Sequence, residues 1–335
     1  MKVIILAGGG GTRLYPLSTP QKPKQFLPLA NARPLLIDTI ERFVGLAGIE
    51  NIVVVTGKKF EDETLAILKE YGLYKVNTVF EPCPRNTAPA IILGTVYCLE
   101  KLNAGNQEPI FVAPSDHVIK PQAVYETLVR EACAEAEKGR IVTLGIKPDG
   151  PETGFGYIRA ENSEKLVNRV LEFKEKPDYE TALKYVASGE YFWNAGMFAF
   201  TSETLLRELK NTSVSLADLF SGGYEYILNN FNDAEKISID YAVAEKSDNV
   251  SVVKSDILWS DLGSWDAFYD FCVKDKDGNA VFGDVKAVDC RNCLIFCDEG
   301  HIGVAQLENM LIIKANGNTV VMPRGTSQIV RSIAD

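Results

Sequence analysis

Val3-Ile-Ile-Leu-Ala-Gly-Gly-Gly-Gly-Thr-Arg-Leu-Tyr-Pro16 holds the key to the fold. Five apolar residues run straight into four glycines. This pattern predicts a strand buried on both faces, ending in a turn where backbone N–H groups can approach a ligand unobstructed by side chains. Outward from it, similar apolar runs recur at Ile52–Thr56, Val76–Phe80, Ile110–Ala113 and Ile141–Leu144, with helix-like segments near 35–47, 60–71, 88–102 and 122–138 between them. The alternation predicts an α/β domain of Rossmann-like character with a mainly parallel sheet and ligands at the carboxyl ends of its strands. From about 150 to 272, longer strands (Gly156–Arg159, Tyr191–Phe200) mix with helices expected at 179–188, 202–210 and 234–246. Beyond the charged run Lys274-Asp-Lys-Asp-Gly278 come short β-rich segments without helical periodicity. We therefore expect a larger domain over 1–278 and a small C-terminal β domain over 279–335, either a solenoid or a small barrel.

Composition agrees with this two-domain reading of 335 residues. Apolar residues make up 46% and charged residues 24%, as in folded globular chains. The net charge of −10 argues against nucleic acid or an anionic membrane as a partner. The uncharged run Asn86–Leu99 is broken by Pro89 and Gly94 and is too short to cross a bilayer. With no cleavable leader in evidence at the N-terminus, the cytoplasm is the expected compartment. Seven cysteines fit reduced thiols better than a disulfide framework. Cys290, Cys293 and Cys297 lack a well-spaced fourth metal ligand, so they are expected to pack inside the β domain, and Cys83 receives no catalytic role.

The glycine run lacks the lysine and Ser/Thr spacing of a P-loop, and Pro16 stops the helix that a dinucleotide fingerprint needs. Arg13, Lys22 and Lys24 instead place three cations close behind it, a local match for a triphosphate in an acidic chain. Asp116, after the strand Ile110–Ala113, and Asp261, between aromatic residues, are candidate metal carboxylates; a helix cap is the ordinary alternative for each. Glu175-Lys176, before Pro177, reads either as a ligand-binding pair or as a surface ion pair.

Six ordered motifs carry a resemblance across nearly the whole chain. They are Leu6–Leu14 with Pro23-Lys-Gln-Phe-Leu27, Glu81-Pro-Cys-Pro-Arg-Asn-Thr-Ala-Pro-Ala90, Pro114-Ser-Asp-His117, Phe173-Lys-Glu-Lys-Pro177, Trp193-Asn-Ala-Gly-Met-Phe198 and Trp259-Ser-Asp-Leu-Gly-Ser-Trp265. Together they resemble the sugar-1-phosphate nucleotidyltransferases, in particular those that use GTP and mannose 1-phosphate. Tyr15 stands where tryptophan is usual, and Ala195 where serine or glycine is common; neither alters a charge needed for chemistry.

The resemblance implies that 1–278 is the catalytic domain and 279–335 an assembly domain, a short left-handed β-helix that makes a homodimer. It places Leu6, Ala7, Gly8, Gly9, Gly11, Thr12, Arg13, Glu81, Asn86, Thr87, Ala88 and Ser115 on the nucleotide, with the Glu81–Ala90 loop reading guanine. Gly156, Glu175, Lys176 and Asn194 fall on the sugar phosphate. Asp116 and Asp261 hold Mg²⁺, and Arg13 and Lys24 join them as catalytic residues. A sugar phosphate is largely a dianion at pH 7, so its attack on the α-phosphorus needs no general base, and His117 is expected to hydrogen-bond without acting as one. The alternatives are a relative with another base or hexose, or a catalytically silent sensing subunit; retention of Arg13, Lys24, Asp116 and Asp261 weighs against the sensor. Length speaks against a fused isomerase domain.

Overall fold

The computed structural model describes residues 1–9, 12–29, 33–161 and 164–334, with the side chains of Thr12 and Arg331 excluded. The chain divides into two compact units. One comprises Met1–Gly8, Thr39–Ser115 and Ile119–Leu258; the other, Gly9–Asp38, Asp116–Val118 and Trp259–Asp335. Packing thus groups the glycine-run segment 9–38 with the C-terminal region, a partition distinct from a single cut at 278.

In the first unit the apolar runs become β1 (Lys2–Leu6), β2 (Ile52–Gly57), β3 (Asn77–Glu81) and β4 (Pro109–Pro114). They pair in parallel in the order β3-β2-β1-β4. The helices α1 (Leu35–Ala47), α2 (Glu61–Glu70) and α3 (Thr87–Lys101) form in the connections between these strands, as their periodicity predicts. Beyond β5 (Val118–Lys120) and α4 (Gln122–Ala136), the sheet is completed by β6 (Ile141–Ile146), β7 (Tyr157–Ala160), β8 (Val167–Lys174), β9 (Tyr191–Thr201) and β10 (Val250–Ser255). The pairings make β1, β2, β3, β4, β6, β7 and β10 run one way and β8 and β9 run against them. The sheet is therefore mainly parallel in strand direction. What the alternation did not foresee is that β9 enters antiparallel between β4 and β6.

The helix expected over 234–246 does not form as such; only Asp240–Ala244 winds, as a π-helical turn. The cause lies in its backbone, which is engaged elsewhere. The Ile237 carbonyl accepts from Ala88 N–H at 3.1 Å, and Ile239 N–H donates to Thr87 Oγ1 at 2.9 Å, groups that a continuous helix would need for itself. No helix among the described residues is long and apolar enough to cross a membrane.

In the second unit β12 (Ala280–Phe282), β14 (Leu294–Cys297) and β16 (Met310–Ala315) stack in parallel, and β17 (Asn318–Pro323) closes the sheet antiparallel, after the short β11 (Leu258–Ser260) at the unit's edge. A second ladder pairs β13 (Val285–Val288) with β15 (Ile302–Ala305), again in parallel. The C-terminal β region is therefore present, built of short stacked strands.

Its core faces a helix, Trp265–Phe271, capped by Ser264, whose hydroxyl accepts from Ala267 N–H at 3.1 Å. Trp265, Phe268, Phe282 and Phe296 pack with ring centroids 5.3–6.3 Å apart. Leu14, Leu17 and Leu27, from the segment behind the glycine run, belong to the same core as Leu294, Leu311 and Ile313. Cys290, Cys293 and Cys297 are buried in an adjoining cluster with Ile295, Ile302 and Ile312, and all seven cysteines are free.

Candidate active site

Each unit gathers its own set of polar side chains. In the second unit, Lys24 leaves a single 3₁₀ turn (Lys24–Phe26) and is buried together with Gln25 and Phe26. Its ammonium lies 2.7 Å from Asp116 Oδ2 and also donates to the Asp261 carbonyl. One lysine thus joins the two aspartates that lie 145 positions apart by residue number, 261 against 116. Asp261 turns its Oδ1 back onto Gly263 N–H at 3.0 Å, and its Oδ2 lies 3.9 Å from the half-exposed Arg13 guanidinium.

Burial works against the ionised form of Asp116, but the Lys24 ammonium, His117 and the hydrogen bond from Lys24 together hold its carboxyl below the usual range. His117 accepts at Nδ1 from Trp259 Nε1–H at 3.2 Å, with the rings at a right angle, and turns Nε2 toward Asp116 Oδ1 at 4.0 Å. An acceptor at Nδ1 requires the neutral ring to carry its proton on Nε2, the nitrogen on the Asp116 side.

The loop bearing Arg13 is anchored by backbone carbonyls. Trp265 Nε1–H donates to the Tyr15 carbonyl at 2.9 Å, and Asn316 Nδ2 donates to those of Pro16 and Leu17 at 2.8 and 3.3 Å. Asn316 and Gly317 form the two-residue turn between β16 and β17 with φ of 49° and 72°, values suited to Asn-Gly. Nothing local in the sequence marks Asn316 as a residue that positions a loop 300 residues away.

In the first unit, Leu6 and Ala7 use their backbone inside the sheet. The Leu6 carbonyl accepts from Ser115 N–H at 3.0 Å, and Ala7 N–H donates to Val55. Ser115 is buried, and its carbonyl accepts from Thr39 Oγ1. Gly8 follows, and a Cβ there would lie 4.0 Å from Glu81 Oε2, so the Glu81 carboxyl faces the start of the glycine run. Burial pushes the Glu81 carboxyl up to about 7. Asn86 caps α3: its Oδ1 accepts from Thr87 N–H at 2.8 Å, at a backbone φ of 68°. Ala88 N–H is committed to Ile237. The expected nucleotide residue Gly11 and the Thr12 side chain lie outside the described residues, while Gly9 lies among those of the second unit.

The four expected sugar residues do come together. Glu175 and Lys176 follow β8 directly and form an ion pair through Glu175 Oε1, while the buried Oε2 has no hydrogen-bond partner among the described residues. A Cβ on Gly156 would stand 2.5 Å from that Oε2 and 3.2 Å from Asn194 Cβ, so only glycine leaves the space open. Asn194, in β9, is locked on both sides. Its Oδ1 accepts from Thr143 Oγ1 at 2.8 Å and Gly196 N–H at 3.1 Å, and its Nδ2 donates to Asp240 Oδ1 at 2.7 Å.

Asp240 and Thr143 were not among the residues expected here. Asp240 is a lone acid in the apolar stretch Ile237-Ser-Ile-Asp-Tyr-Ala-Val243, and that was the one available signal. Burial and the nearby Asp240 charge raise Glu175, and burial raises Asp240 as well. Burial opposes the Lys176 ammonium, yet Glu175 and Asp240 hold it above the ordinary lysine value.

A cationic cluster beside paired aspartates, and a pocket of acceptors around one lysine, are arrangements suited to phosphate and sugar ligands, and similar proteins point the same way. The nucleotidyl transferase family model matches residues 2–278. A xanthan biosynthesis protein XanB of Xanthomonas campestris pv. campestris (strain B100) is 38% identical, over 98% of this chain and 72% of its own. A mannose-1-phosphate guanylyltransferase of Escherichia coli is 36% identical, over 99% of this chain and 73% of its own. Among solved structures, a mannose-1-phosphate geranyltransferase from Thermus thermophilus superposes with a TM-score of 0.91 at 32% identity, covering 99% of this chain and 97% of that one. The family model spans most of the chain and the relatives align over nearly all of it; the chain belongs to the nucleotidyl transferase family.

Proposed function

We propose that the protein transfers GMP from GTP to mannose 1-phosphate, giving GDP-mannose and pyrophosphate. The observation that carries this reading is the Lys24 ammonium joining Asp116 to Asp261 beside Arg13. The names of the relatives support the same substrates. Glu175 and Asn194 offer acceptors and a donor to vicinal hydroxyls, and Lys176 offers a cation to the sugar phosphate. The phosphate dianion is its own nucleophile, so the protein has no proton to remove at that step. Its residues act by positioning and charge neutralisation: Lys24 and Arg13 offset the charge that develops on the phosphates, and His117 orients Asp116.

The donor set suits a hard divalent cation. The Asp116 carboxylate and the Asp261 backbone carbonyl already hold an ammonium, the Asp261 carboxylate lies beside Gly263 N–H and Arg13, and Mg²⁺ is usually held by one or two carboxylates with phosphate oxygens and water. Asp116 and Asp261 would hold it, and Lys24 would then turn from Asp116 toward phosphate. When bound, Mg²⁺ supplies Lewis-acid neutralisation of phosphate charge. The parallel stacking of β12, β14 and β16 supports the β-helix reading of the tail, for which we also propose a role in dimer formation. Seven free cysteines support a reducing compartment, the cytoplasm.

Pyrophosphate release over a grid of nucleoside triphosphates and hexose 1-phosphates, with and without a chelator, tests the reading. GTP with mannose 1-phosphate is expected to give the highest kcat/KM and to lose it on chelation. Asp116→Asn and Asp261→Asn are each expected to lower kcat/KM about a thousandfold, the double variant being little worse. Equal or better use of UTP or dTTP overturns the base assignment, and near-normal turnover in both single variants overturns the metal assignment.

A further inference from the structure

We propose that Asp240 is a positioning residue of the sugar-phosphate subsite, setting the orientation of the Asn194 amide; this rests on the function proposed above. The Asn194 amide has four hydrogen-bonding positions. Thr143 Oγ1 and Gly196 N–H occupy its oxygen, and Asp240 Oδ1 takes one Nδ2 hydrogen at 2.7 Å. One Nδ2 hydrogen is then left, aimed by partners on both sides. Without the Asp240 carboxylate the amide keeps its oxygen contacts but loses the acceptor that fixes its plane.

The amide lies in a subsite with an ion pair and an open acceptor. Lys176 makes its ion pair to Glu175. A hexose 1-phosphate brings its own dianion to Lys176 and hydroxyls to Glu175, whose Oε2 is buried and without a partner among the described residues. Tyr241 and Glu245 also act on this cluster, the latter paired to Lys174 at 3.0 Å.

The segment that delivers Asp240 is itself fastened away from the sugar side. Ile237 and Ile239 bond to Ala88 and Thr87, so the π-helical turn starts from a fixed point. Such turns recur at functional sites.

Asp240→Ala and Asp240→Asn, with wild type beside them, separate the outcomes when KM for mannose 1-phosphate, KM for GTP, kcat and Tm are measured together. Asp240→Ala is expected to raise KM for mannose 1-phosphate about tenfold or more while KM for GTP stays within about twofold. Asp240→Asn, which retains an acceptor for the Asn194 amide but no charge, is expected to recover part of that loss and still to exceed wild type about threefold. If Asp240→Ala does not fold, the same selective rise in Asp240→Asn decides. An equal rise in both KM values, or an unchanged KM for mannose 1-phosphate in a folded variant, overturns the inference while the proposed function stands. A wild-type protein that uses no hexose 1-phosphate overturns the function, and the inference with it.

Discussion

Glu81 shows how the burial of one side chain makes stability depend on pH. Its carboxyl titrates near 7 where an exposed glutamate titrates near 4.5, because burial beside Gly8 disfavours the charge. The folded state therefore binds a proton that the unfolded state has released between those values. The stabilisation from this group is complete below about pH 4.5 and is lost as pH rises through about 7. Glu81→Gln removes that dependence. In melting experiments from pH 5 to 8 the variant should gain on wild type as pH rises, by about 3 kcal/mol at most. Parallel pH profiles would refute a buried, protonated Glu81. The sequence marked Glu81 as a nucleotide residue at the start of a loop; its shifted proton affinity comes from β3 ending against Gly8, a tertiary fact.

At the scale of elements, the strands and helices of the first unit were legible because each carries its own period, apolar runs for the parallel strands and a 3.6-residue repeat for α1 to α4. The 234–246 segment was not, since its backbone answers to Thr87 and Ala88, about 150 residues earlier, and no local pattern records that bond. The aspartates and lysines of the candidate site could be read from motifs. Their partners Asp240, Thr143 and Asn316 could not, because each does its work by reaching across the fold. The Asn316-Gly317 turn illustrates both halves: its shape is written locally, and the targets of its amide are not. Asn316→Gly keeps the positive φ and deletes the amide, leaving the Pro16 and Leu17 carbonyls without that donor. We expect a loss of about 1–2 kcal/mol in stability and a several-fold fall in kcat/KM as the Arg13 loop loosens. Unchanged kcat/KM in the variant would show that the loop does not depend on this anchor.

For the molecule as a whole, the C-terminal strands have two duties, one within the fold and one proposed outside it. Inside, their core encloses Leu14, Leu17 and Leu27. Outside, β17 is an edge strand that buries Val320 and Met322 and exposes Val321, and Val281 on the opposite edge strand β12 is exposed as well. Open edges with apolar residues invite pairing. Light scattering at micromolar concentration should give the mass of two chains, and Val321→Lys or Val281→Lys should move it toward one without changing Tm. A monomeric full chain, or a dimer indifferent to both lysines, would count against this mode of assembly.

The segment 9–38 lies almost at the start of the chain, yet its anchors are Trp265 and Asn316, at separations of 250 and 300 residues. During synthesis from the N-terminus, Arg13 and Lys24 emerge long before the anchors of their loop, which follow some 250 to 300 residues later. Contacts of such range close slowly, because a long loop must be ordered before they repay its entropy. The β1 to β4 framework can assemble while the chain is still growing, but the loop that carries Arg13 gains this anchor only after Asn316 has been made. A chain interrupted before Asn316 carries Arg13, Lys24, Asp116 and Asp261 and lacks the Asn316 anchor that holds Pro16 and Leu17 in place.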